Sequence, residues 1–274
     1  ALVRAVSLAR RLKIPYYLLA GGSNVVGPDG RWQGLLIHYL TPRGKMVVRE
    51  KRVVAEAGIP LAALIKTTIK HHLAGLEKLS GIPGSVGGAI VGNAGAYGQT
   101  ISDFLIKVEV FDGRRIQWIS KRQCRFTYRE SIFKRKDWIV LRAAFLLERG
   151  NSRQLKAAAR EIVRRRLKKY KPDLACPGSF FKNILASEAT KWTLRQIPSE
   201  KIIEGKIPAG YLLEMVGACG LRTRHLEVAP YHGNLIINRG GATCREVKQL
   251  ASRLKRRVFN KFGIRLQEEI RYVI

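Results

Sequence analysis

Two glycine-rich segments carry backbone groups that could hold a phosphate ligand. The longer one, GIPGSVGGAIVGNAGAYG from Gly81 to Gly98, has seven glycines, one aromatic residue and no charge. The shorter one, AGGSN at 20–24, follows a strand-like run and adds side-chain donors at Ser23 and Asn24. Glycine lets the backbone approach a ligand where a Cβ would clash, and free amides can line up on phosphate oxygens. Two such turns favour a bound dinucleotide, and the alternative is a glycine-rich turn packed against a strand.

Other common sites are absent from the sequence. There is no GxGxxG fingerprint and no GxxxxGK[ST] loop, so neither a Rossmann site nor a P-loop is expected. None of the four cysteines forms a CxxC pair and the five histidines form no HExxH, so we expect no metal site. Scattered cysteines fit a reducing cytosol, which predicts a cytoplasmic protein.

Charge is the most unusual feature of the composition. The chain has 51 Lys and Arg against 20 Asp and Glu, a net charge of +31. Three interpretations stay open: phosphate contacts to a nucleic acid, attraction of multiply anionic small molecules, or a basic solvated surface. The basic residues recur along helix faces instead of forming one tail, which weakens the case for a nucleic-acid arm. Apolar residues make up 46% without a run of eighteen, so we expect a soluble globular protein and no membrane span.

The elements that must position these segments alternate in the first part of the chain. Apolar spacing predicts an opening helix, and strand patterns follow in IPYYLLA and GLLIHYL. A helix is predicted from Leu61 to Leu73, with Gly75 as its C-cap. After the longer glycine segment, two alternating runs joined at Asp112-Gly113 predict a β-hairpin, and WIVLRAAFLLE predicts another strand.

The second part begins after a long helix that Asn151 or Ser152 caps and that runs to about Tyr170. Pro172 ends this helix and marks a domain boundary. Beyond it we expect a helix in YLLEMVGA, a strand in NLIINRG, a helix opened by the capping box at Thr243, and an extended C-terminal run. The fold class is α+β, with two segments joined near 170–177.

Six motifs in this order carry a resemblance to a known family: AGGSN, LSGIPGSVGGAIVGNAGAYG, CRFTYRESIFK, GSFFKN, KIPAGYLLE and EEIRY. Together they resemble the UDP-N-acetylenolpyruvoylglucosamine reductases (MurB), from about Leu18 to Ile274. The branch with the shorter middle domain is the most similar. The family's segment ahead of the first helix is missing and the chain does not begin with Met, so we expect a truncated N-terminus.

The resemblance implies an architecture and an activity. Residues 1–170 would form an FAD-binding domain of the vanillyl-alcohol-oxidase (PCMH) type. Residues 171–274 would form a C-terminal α+β substrate-binding domain whose last strand returns to the active site. With bound FAD and with NADPH as co-substrate, the enzyme would reduce UDP-N-acetylglucosamine enolpyruvate to UDP-N-acetylmuramate, a cytoplasmic step of peptidoglycan synthesis. We expect a monomer.

The resemblance also implies three catalytic residues. Ser179 would donate the proton, and Arg129 and Glu269 would stabilise the enolate-like intermediate. A guanidinium can hold a carboxylate through two hydrogen bonds, which suits an enolpyruvyl acid. Glu268 is adjacent, and only one of two neighbours on a strand can face the site. Without the resemblance, Ser179 reads as a turn cap, Arg129 as a surface arginine and Glu269 as an ordinary acidic residue.

The remaining site residues are carried over from the same motifs. The FAD-binding set is Gly21, Gly22, Ser23, Asn24, Pro83, Gly84, Ser85, Gly87, Gly88, Asn93, Gly95, Ala96 and Tyr97. The substrate-binding set is Tyr128, Lys182, Asn183, Arg166 and Lys169, and a solvated helix face explains the last two about as well. The chain departs from the family at Ala20, Gly92 and His225, and we expect His225 to be an exposed histidine.

Two alternatives to this reductase are considered. One is the same scaffold recruited as a basic nucleic-acid-binding or structural protein, which the intact Ser179, Arg129 and Glu269 argue against. The other is a different flavoenzyme such as an oxidase, which GSFFKN and KIPAGYLLE argue against.

Overall fold

A computed structural model describes residues 1–171 and 174–273, and these fall into two compact units. The first unit contains Ala1–Gly22 and Gln33–Lys168. The second contains Ser23–Trp32 and Lys169–Ile274. The sequence assigns residues 23–32 to a continuous first domain, whereas the structure groups them with the C-terminal unit. The reason is that the strand at Val25–Val26 pairs with Arg271–Tyr272 and that the Asp29 carboxylate accepts from the amide of Arg245.

The helices and strands of the described residues follow the α+β pattern. The α-helices are α1 (Leu2–Arg11), α2 (Leu61–Lys70), α3 (Val86–Val91), α4 (Ser152–Lys169), α5 (Lys191–Arg195), α6 (Ala209–Met215) and α7 (Cys244–Phe262). The strands are β1 (Tyr16–Leu19), β2 (Val25–Val26), β3 (Leu35–His38), β4 (Met46–Arg49), β5 (Arg52–Glu56), β6 (Leu73–Ala74), β7 (Gly95–Ala96), β8 (Gln99–Thr100), β9 (Leu105–Phe111), β10 (Ile116–Ser120), β11 (Ile139–Leu146), β12 (Glu148–Arg149), β13 (Ile184–Leu185), β14 (Lys206–Ile207), β15 (Leu226–Val228), β16 (Ile236–Asn238) and β17 (Arg271–Tyr272).

The first unit is built around an antiparallel sheet in the order β10-β9-β11-β5-β4. The predicted hairpin at Asp112-Gly113 is confirmed as the connection between β9 and β10. Alternation along β5 points Val53 and Ala55 into the core, where α2 and α3 also bury their apolar faces. Leu64, on α2, is fully buried in the same core. This sheet and its core support the longer glycine segment, whose helix α3 packs into the same core.

The second unit has its own core beneath α6 and α7. The capping box at Thr243 is confirmed, and Gly263 ends α7 in the left-handed conformation. Its buried face is periodic, and Phe180 and Phe181 pack into the same core. The short strand β2 pairs in parallel with β17, which ties residues 23–32 to the end of the chain.

Two local predictions differ from the structure, and a third is confirmed. Helix α2 ends at Lys70 instead of Leu73, because His72 takes a positive φ of 57° that a helix cannot continue, and Gly75 is therefore not its C-cap. The glycine-rich segment, expected as a loop, contains the helix α3 with Ser85 as its N-cap. Asn151 is confirmed as the cap of α4, with its Oδ1 accepting from the amides of Arg153 and Gln154. Pro172, predicted as the helix stop and boundary, lies outside the described residues.

Residues 1–171 and 174–273 contain neither a membrane-spanning helix nor a cluster of metal-ligating side chains. No helix there combines the length and the apolar character that a membrane span requires. Nor does that part of the chain bring three or more His, Cys, Asp or Glu side chains together in a way that could hold a metal ion.

Candidate functional site

Two glycine bends of the first unit lie side by side. A Cβ built on Gly21 would be 3.6 Å from the Cα of Gly84, so the two backbones come into direct contact. Gly22 and Gly84 have positive φ values of 64° and 104°, which other residues rarely adopt. Among described acceptors, none receives the amides of Gly21, Gly22, Gly84 or Ser85. Adjacent bends with open amides and no side chains fit the diphosphate of FAD.

The middle of the longer glycine segment is shaped by packing as well. Ser85 Oγ accepts from the amide of Gly88 and caps α3. A Cβ on Gly87 would lie 2.9 Å from the Cβ of Ala57, and the Gly87 amide already donates to the carbonyl of Ala57. Close packing therefore explains the absence of a side chain at Gly87 without a ligand. Pro83, in the same segment, is exposed.

Residues 91–95 are joined to the loop 127–131 by side-chain hydrogen bonds to backbone. Asn93 Nδ2 donates to the carbonyl of Thr127 at 2.9 Å, and Ser131 Oγ donates to the carbonyl of Val91 at 2.7 Å. Asn93 is buried in a left-handed conformation, and its Oδ1 has no hydrogen-bond partner within the described residues. A buried acceptor left in this way can receive a donor from a bound molecule, which supports Asn93 in the FAD-binding set.

Arg129 connects this loop to the end of the glycine segment. Its Nη2 donates to the carbonyl of Gly95 at 2.8 Å, and its guanidinium lies 5.6 Å from the ring centroid of Tyr128. The residue itself has a positive φ of 56°, a strained conformation that the surrounding bonds maintain. Lys134 Nζ donates to the Arg129 carbonyl. The predicted catalytic arginine is thus positioned by the backbone predicted to bind FAD.

The last three residues of the FAD-binding set form a tight β-turn. Gly95 and Ala96 are β7 and pair with β8, and Tyr97 at the tip has a positive φ of 52° and is exposed. A Cβ on Gly95 would lie 2.6 Å from the carbonyl oxygen of Gln99, so only glycine fits this turn.

Ser179 lies on a segment that the second unit holds from two sides. The amide of Phe180 donates to the carbonyl of Asn234 at 3.0 Å, and the amide of Glu269 donates to the carbonyl of Phe180 at 2.8 Å. The side chains of Phe180 and Phe181 are buried with their ring centroids 5.0 Å apart. Ser179 and Glu269 therefore stand on neighbouring backbone segments, as two of the three predicted catalytic residues should. Arg129 belongs to the other unit.

The two neighbouring glutamates have different surroundings. Glu268 Oε1 is 2.6 Å from Nζ of Lys255 on α7. Burial, and then the Glu268 carboxylate, raise the pKa of the Tyr272 hydroxyl well above its usual range. Glu269 is half-buried, and its backbone carbonyl accepts from Nδ2 of Asn24 at 3.1 Å. Because the Glu268 carboxylate forms an ion pair with Lys255 on α7, this arrangement supports Glu269 as the carboxylate of the candidate site.

Ser23 and Asn24 fall in the second unit, apart from Gly21 and Gly22. The carbonyl of Asn24 accepts from the amide of Arg271 at 3.0 Å, so Asn24 bonds to the backbone on both sides of Ile270. A residue predicted to bind FAD therefore also helps to fix the backbone of the predicted catalytic Glu269.

The predicted substrate residues divide between the units. Lys182 and Asn183 are half-buried in the second unit, and Asn183 Oδ1 accepts from the amide that opens α6. Arg166 is in the first unit, where its Nε donates to the carbonyl of Gly81 at 3.0 Å. Lys169 is in the second unit, with its Nζ 5.3 Å from the ring centroid of Tyr170. Arg166 and Lys169 are three positions apart on α4, and the division between the two units falls between them.

Three residues near these elements were missed or misjudged from sequence. Tyr170 Oη lies 2.8 Å from Ser179 Oγ, a contact that no motif suggested. Burial, followed by the charge of Lys169, lowers the pKa of His232, against the opposing effect of Glu214. His225 is not the exposed histidine expected, because its Nδ1 lies 2.9 Å from Oε1 of Glu246 in the capping box of α7.

A separate basic groove runs along α7 in the second unit. Its volume is about 1000 Å³, and its charged lining includes Arg245, Lys248, Arg253 and Arg256. The carboxylate of Asp29 also lines it and accepts from the first amides of α7. Within the described residues the side chains of Arg253 and Arg256 have no ion-pair partner. The groove therefore concentrates unneutralised positive charge.

Comparison with known proteins defines the class of this fold and site. Residues 1–115 match the model of an FAD-binding domain, and residues 168–273 match the C-terminal domain of UDP-N-acetylenolpyruvoylglucosamine reductase. A UDP-N-acetylenolpyruvoylglucosamine reductase from Solibacter usitatus is 40% identical over 100% of this chain and 87% of the relative. One from Caldanaerobacter subterraneus subsp. tengcongensis is 35% identical over 99% of this chain and 83% of its own length.

A solved structure is similar over almost the whole chain. It is the UDP-N-acetylenolpyruvylglucosamine reductase (MurB) of Thermus caldophilus, with a TM-score of 0.74 and 28% identity, covering 97% of this chain and 88% of that one. The fold and site are those of a flavin-dependent oxidoreductase. The chain belongs to the UDP-N-acetylenolpyruvoylglucosamine reductase family. This confirms the family, the α+β architecture and the FAD-binding domain predicted from the six motifs.

Proposed function

We propose that the chain reduces UDP-N-acetylglucosamine enolpyruvate to UDP-N-acetylmuramate for peptidoglycan synthesis, with NADPH as the electron donor, as a cytoplasmic monomer. The observation that carries this proposal is the hydrogen bond from Arg129 to the carbonyl of Gly95. This bond holds the Arg129 guanidinium, which can bind an enolpyruvyl carboxylate, against the backbone of Gly95, which belongs to the predicted FAD-binding set. FAD held by this backbone would supply hydride-transfer chemistry between NADPH and the enol carbon.

The first unit would bind the cofactor and orient the substrate. The open amides at Gly21, Gly22, Gly84 and Ser85 would receive the diphosphate, and Asn93 Oδ1 would accept a donor from the bound cofactor. The planar guanidinium of Arg129 would bind the carboxylate of the enolpyruvyl group and balance the charge that grows there during reduction.

The second unit would supply the proton. Ser179 Oγ would donate its hydrogen to the carbon next to the carboxylate, and the backbone bonds at Phe180 would hold it there. Glu269, on the neighbouring segment, would orient the same part of the substrate. Lys182 and Asn183 would face the diphosphate and uridine side, with Tyr128 on the substrate or nicotinamide.

Anaerobic half-reactions test this function. The purified chain, loaded with FAD, should be yellow, lose its flavin absorbance on addition of NADPH and regain it with the enolpyruvyl substrate. Ser179→Ala should be reduced by NADPH at the normal rate and then react with the substrate at least about a hundredfold more slowly, because only the second half-reaction needs a proton from Oγ.

The matched control is Ser120→Ala, which removes an exposed hydroxyl bonded to the Gln123 side chain in the other unit. It should alter stability more than the rate of either half-reaction. A protein that binds FAD but is never reoxidised by the enolpyruvyl substrate would overturn the proposed substrate. Equal losses in both half-reactions of Ser179→Ala would overturn the role of Ser179.

Nucleic-acid binding is a second candidate, favoured by the basic groove on α7. Its four cations line one helix face, as contacts to successive phosphates require. A fluorescent single-stranded RNA, titrated at several salt concentrations, tests it. Arg253→Ser with Arg256→Ser should reduce the slope of log affinity against log salt by about 1.4, at about 0.7 per lost phosphate contact. The same change at Arg153 and Arg160 on α4 is the charge-matched control, and equal slopes in both variants would reject the groove.

A further inference from the structure

The hydroxyl groups of Tyr170 and Ser179 form a hydrogen-bonded pair. Oη and Oγ are 2.8 Å apart, and both residues are half-buried. Tyr170 directly follows the last residue of α4, and Ser179 comes nine positions later in the second unit. What this pair does depends on the proposed function, because that function makes Ser179 the proton donor.

One hydrogen lies between the two oxygens, so one hydroxyl donates and the other accepts. A phenol is a stronger acid than an aliphatic alcohol, so donation from Tyr170 to Ser179 is the favoured direction once Ser179 begins to lose its own hydrogen. When Tyr170 donates, the hydrogen of Ser179 is free to point elsewhere. A serine alone is a poor acid, and this neighbour supplies the help that it needs.

One cationic group lies near the phenol. Lys169 Nζ lies 5.3 Å from the ring centroid of Tyr170. The same ammonium acts on His232, whose protonated form it disfavours. Negative charge that develops on Tyr170 is therefore stabilised by a nearby positive charge in a half-buried place, where such attraction is stronger than in bulk water.

The two residues that follow the serine are held by backbone hydrogen bonds. The amides of Phe180 and Phe181 donate to the Asn234 carbonyl and side-chain oxygen at 3.0 and 2.8 Å. Both phenylalanine rings are buried, so this segment has little freedom to turn. The hydrogen bond with Tyr170, by contrast, acts on Ser179 Oγ itself.

We propose that Tyr170 is a positioning residue that acts through Ser179, orienting its hydroxyl and replacing its proton as it is given to the substrate. The electron pair on the substrate carbon takes the hydrogen of Ser179, the O–H bond of Ser179 breaks, and Oγ takes the hydrogen of Tyr170. A phenolate remains at Tyr170 and recovers a proton from water. The single proton that the reduction consumes thus comes from solvent, and no oxidant or reductant beyond NADPH is needed.

The test uses Tyr170→Phe in the full, FAD-loaded chain. The protein is reduced anaerobically with NADPH and mixed in a stopped-flow instrument with UDP-N-acetylglucosamine enolpyruvate, and the return of flavin absorbance is followed. Reduction by NADPH should be unchanged, which also shows that the variant is folded. Reoxidation should be at least about a hundredfold slower, the range expected for lost acid catalysis.

Tyr211→Phe is the matched control. Tyr211 lies on α6 in the same unit, and its hydroxyl has no hydrogen bond among the described residues. Both half-reactions of this variant should proceed at the wild-type rate. It therefore separates the loss of this particular hydroxyl from the loss of any tyrosine hydroxyl.

Mixtures of H₂O and D₂O distinguish proton supply from simple packing. In the wild type the reoxidation rate should fall along a curve as the deuterium fraction rises, because two hydrogens move together. In Tyr170→Phe the dependence should be linear. A variant that is slowed less than about tenfold and keeps the curved dependence overturns the proposal, as does one that matches Tyr211→Phe. If Ser179→Ala itself keeps the wild-type rate, the role of Ser179 in the proposed function has failed instead.

Discussion

The adjacent glutamates offer the sharpest test of which groups face the substrate. Glu268 is bound to Lys255 on α7, whereas Glu269 stands on the segment bonded to Phe180, next to Ser179. Replacing each in turn with glutamine keeps size and shape and removes one carboxylate. We expect Glu268→Gln to reduce stability and keep the rate, and Glu269→Gln to reduce the rate.

The size of the stability loss follows from the geometry of the ion pair. The side chain of Glu268 is 18% exposed and that of Lys255 38%, so the pair lies between a surface bridge, worth under about 1 kcal/mol, and a buried one, worth about 3 kcal/mol or more. Glutamine still offers an oxygen to Lys255. We therefore expect a loss of about 1 kcal/mol, or about 2–4 °C in Tm.

The assay combines thermal denaturation with the two anaerobic half-reactions. Glu268→Gln should melt earlier than the wild type and react with the substrate at the normal rate. Glu269→Gln should be reduced by NADPH normally and react with the substrate about a hundredfold more slowly. If Glu268→Gln slows the substrate half-reaction as much as Glu269→Gln does, the assignment between the two carboxylates is wrong.

Three further changes test other parts of the site and its support. Arg129→Lys keeps the charge but loses the planar fork, so the substrate half-reaction should fall about a hundredfold in stopped-flow traces while FAD remains bound. Asp29→Ala removes the acceptor for the first amides of α7 and should lower the free energy of unfolding by about 1–2 kcal/mol in urea titrations. Arg239, and then Arg222, lower the pKa of Glu227 below its usual 4.5. The stability from this charge is present above that value and lost as the pH falls through the lower folded-state pKa. The Tm of Glu227→Gln should thus be lower than that of the wild type at pH 7 and approach it in acid, and a constant difference would contradict the assignment.

Elements with strong local patterns could be predicted from the sequence. The hairpin at Asp112-Gly113 and the capping box at Thr243 are specified by residues within a few positions of each other. Helix α3 could not be predicted, because Gly87 and Gly88 oppose a helix and the burial of Val86 and Ile90 against distant strands outweighs them. In α3, tertiary packing therefore outweighs the low helix propensity of the glycines.

The candidate site shows the same division. Motifs predict Ser179 and Glu269 as site residues, but they do not predict the backbone bond from Glu269 to Phe180, since it joins positions almost ninety residues apart. Tyr170 was not found because its hydroxyl meets Ser179 only after the chain turns back beyond α4. His225 was misjudged because its partner, Glu246, lies 21 positions away. Contacts across such separations leave no periodic signal.

The pairing of β2 with β17 also constrains the order in which the two units can fold during synthesis. Asp29 and the start of α7 are 215 positions apart, so the ribosome releases the first long before it makes the second. At about 5–20 residues per second, residues 23–32 wait roughly 10–40 s for their partners. The first unit can form around its own sheet in that interval. The second unit, by contrast, completes its hydrogen bonds only when translation is almost finished. A stalled ribosome or a shortened transcript would therefore yield the first unit with strand β2, just after the bend at Gly21 and Gly22, left unpaired.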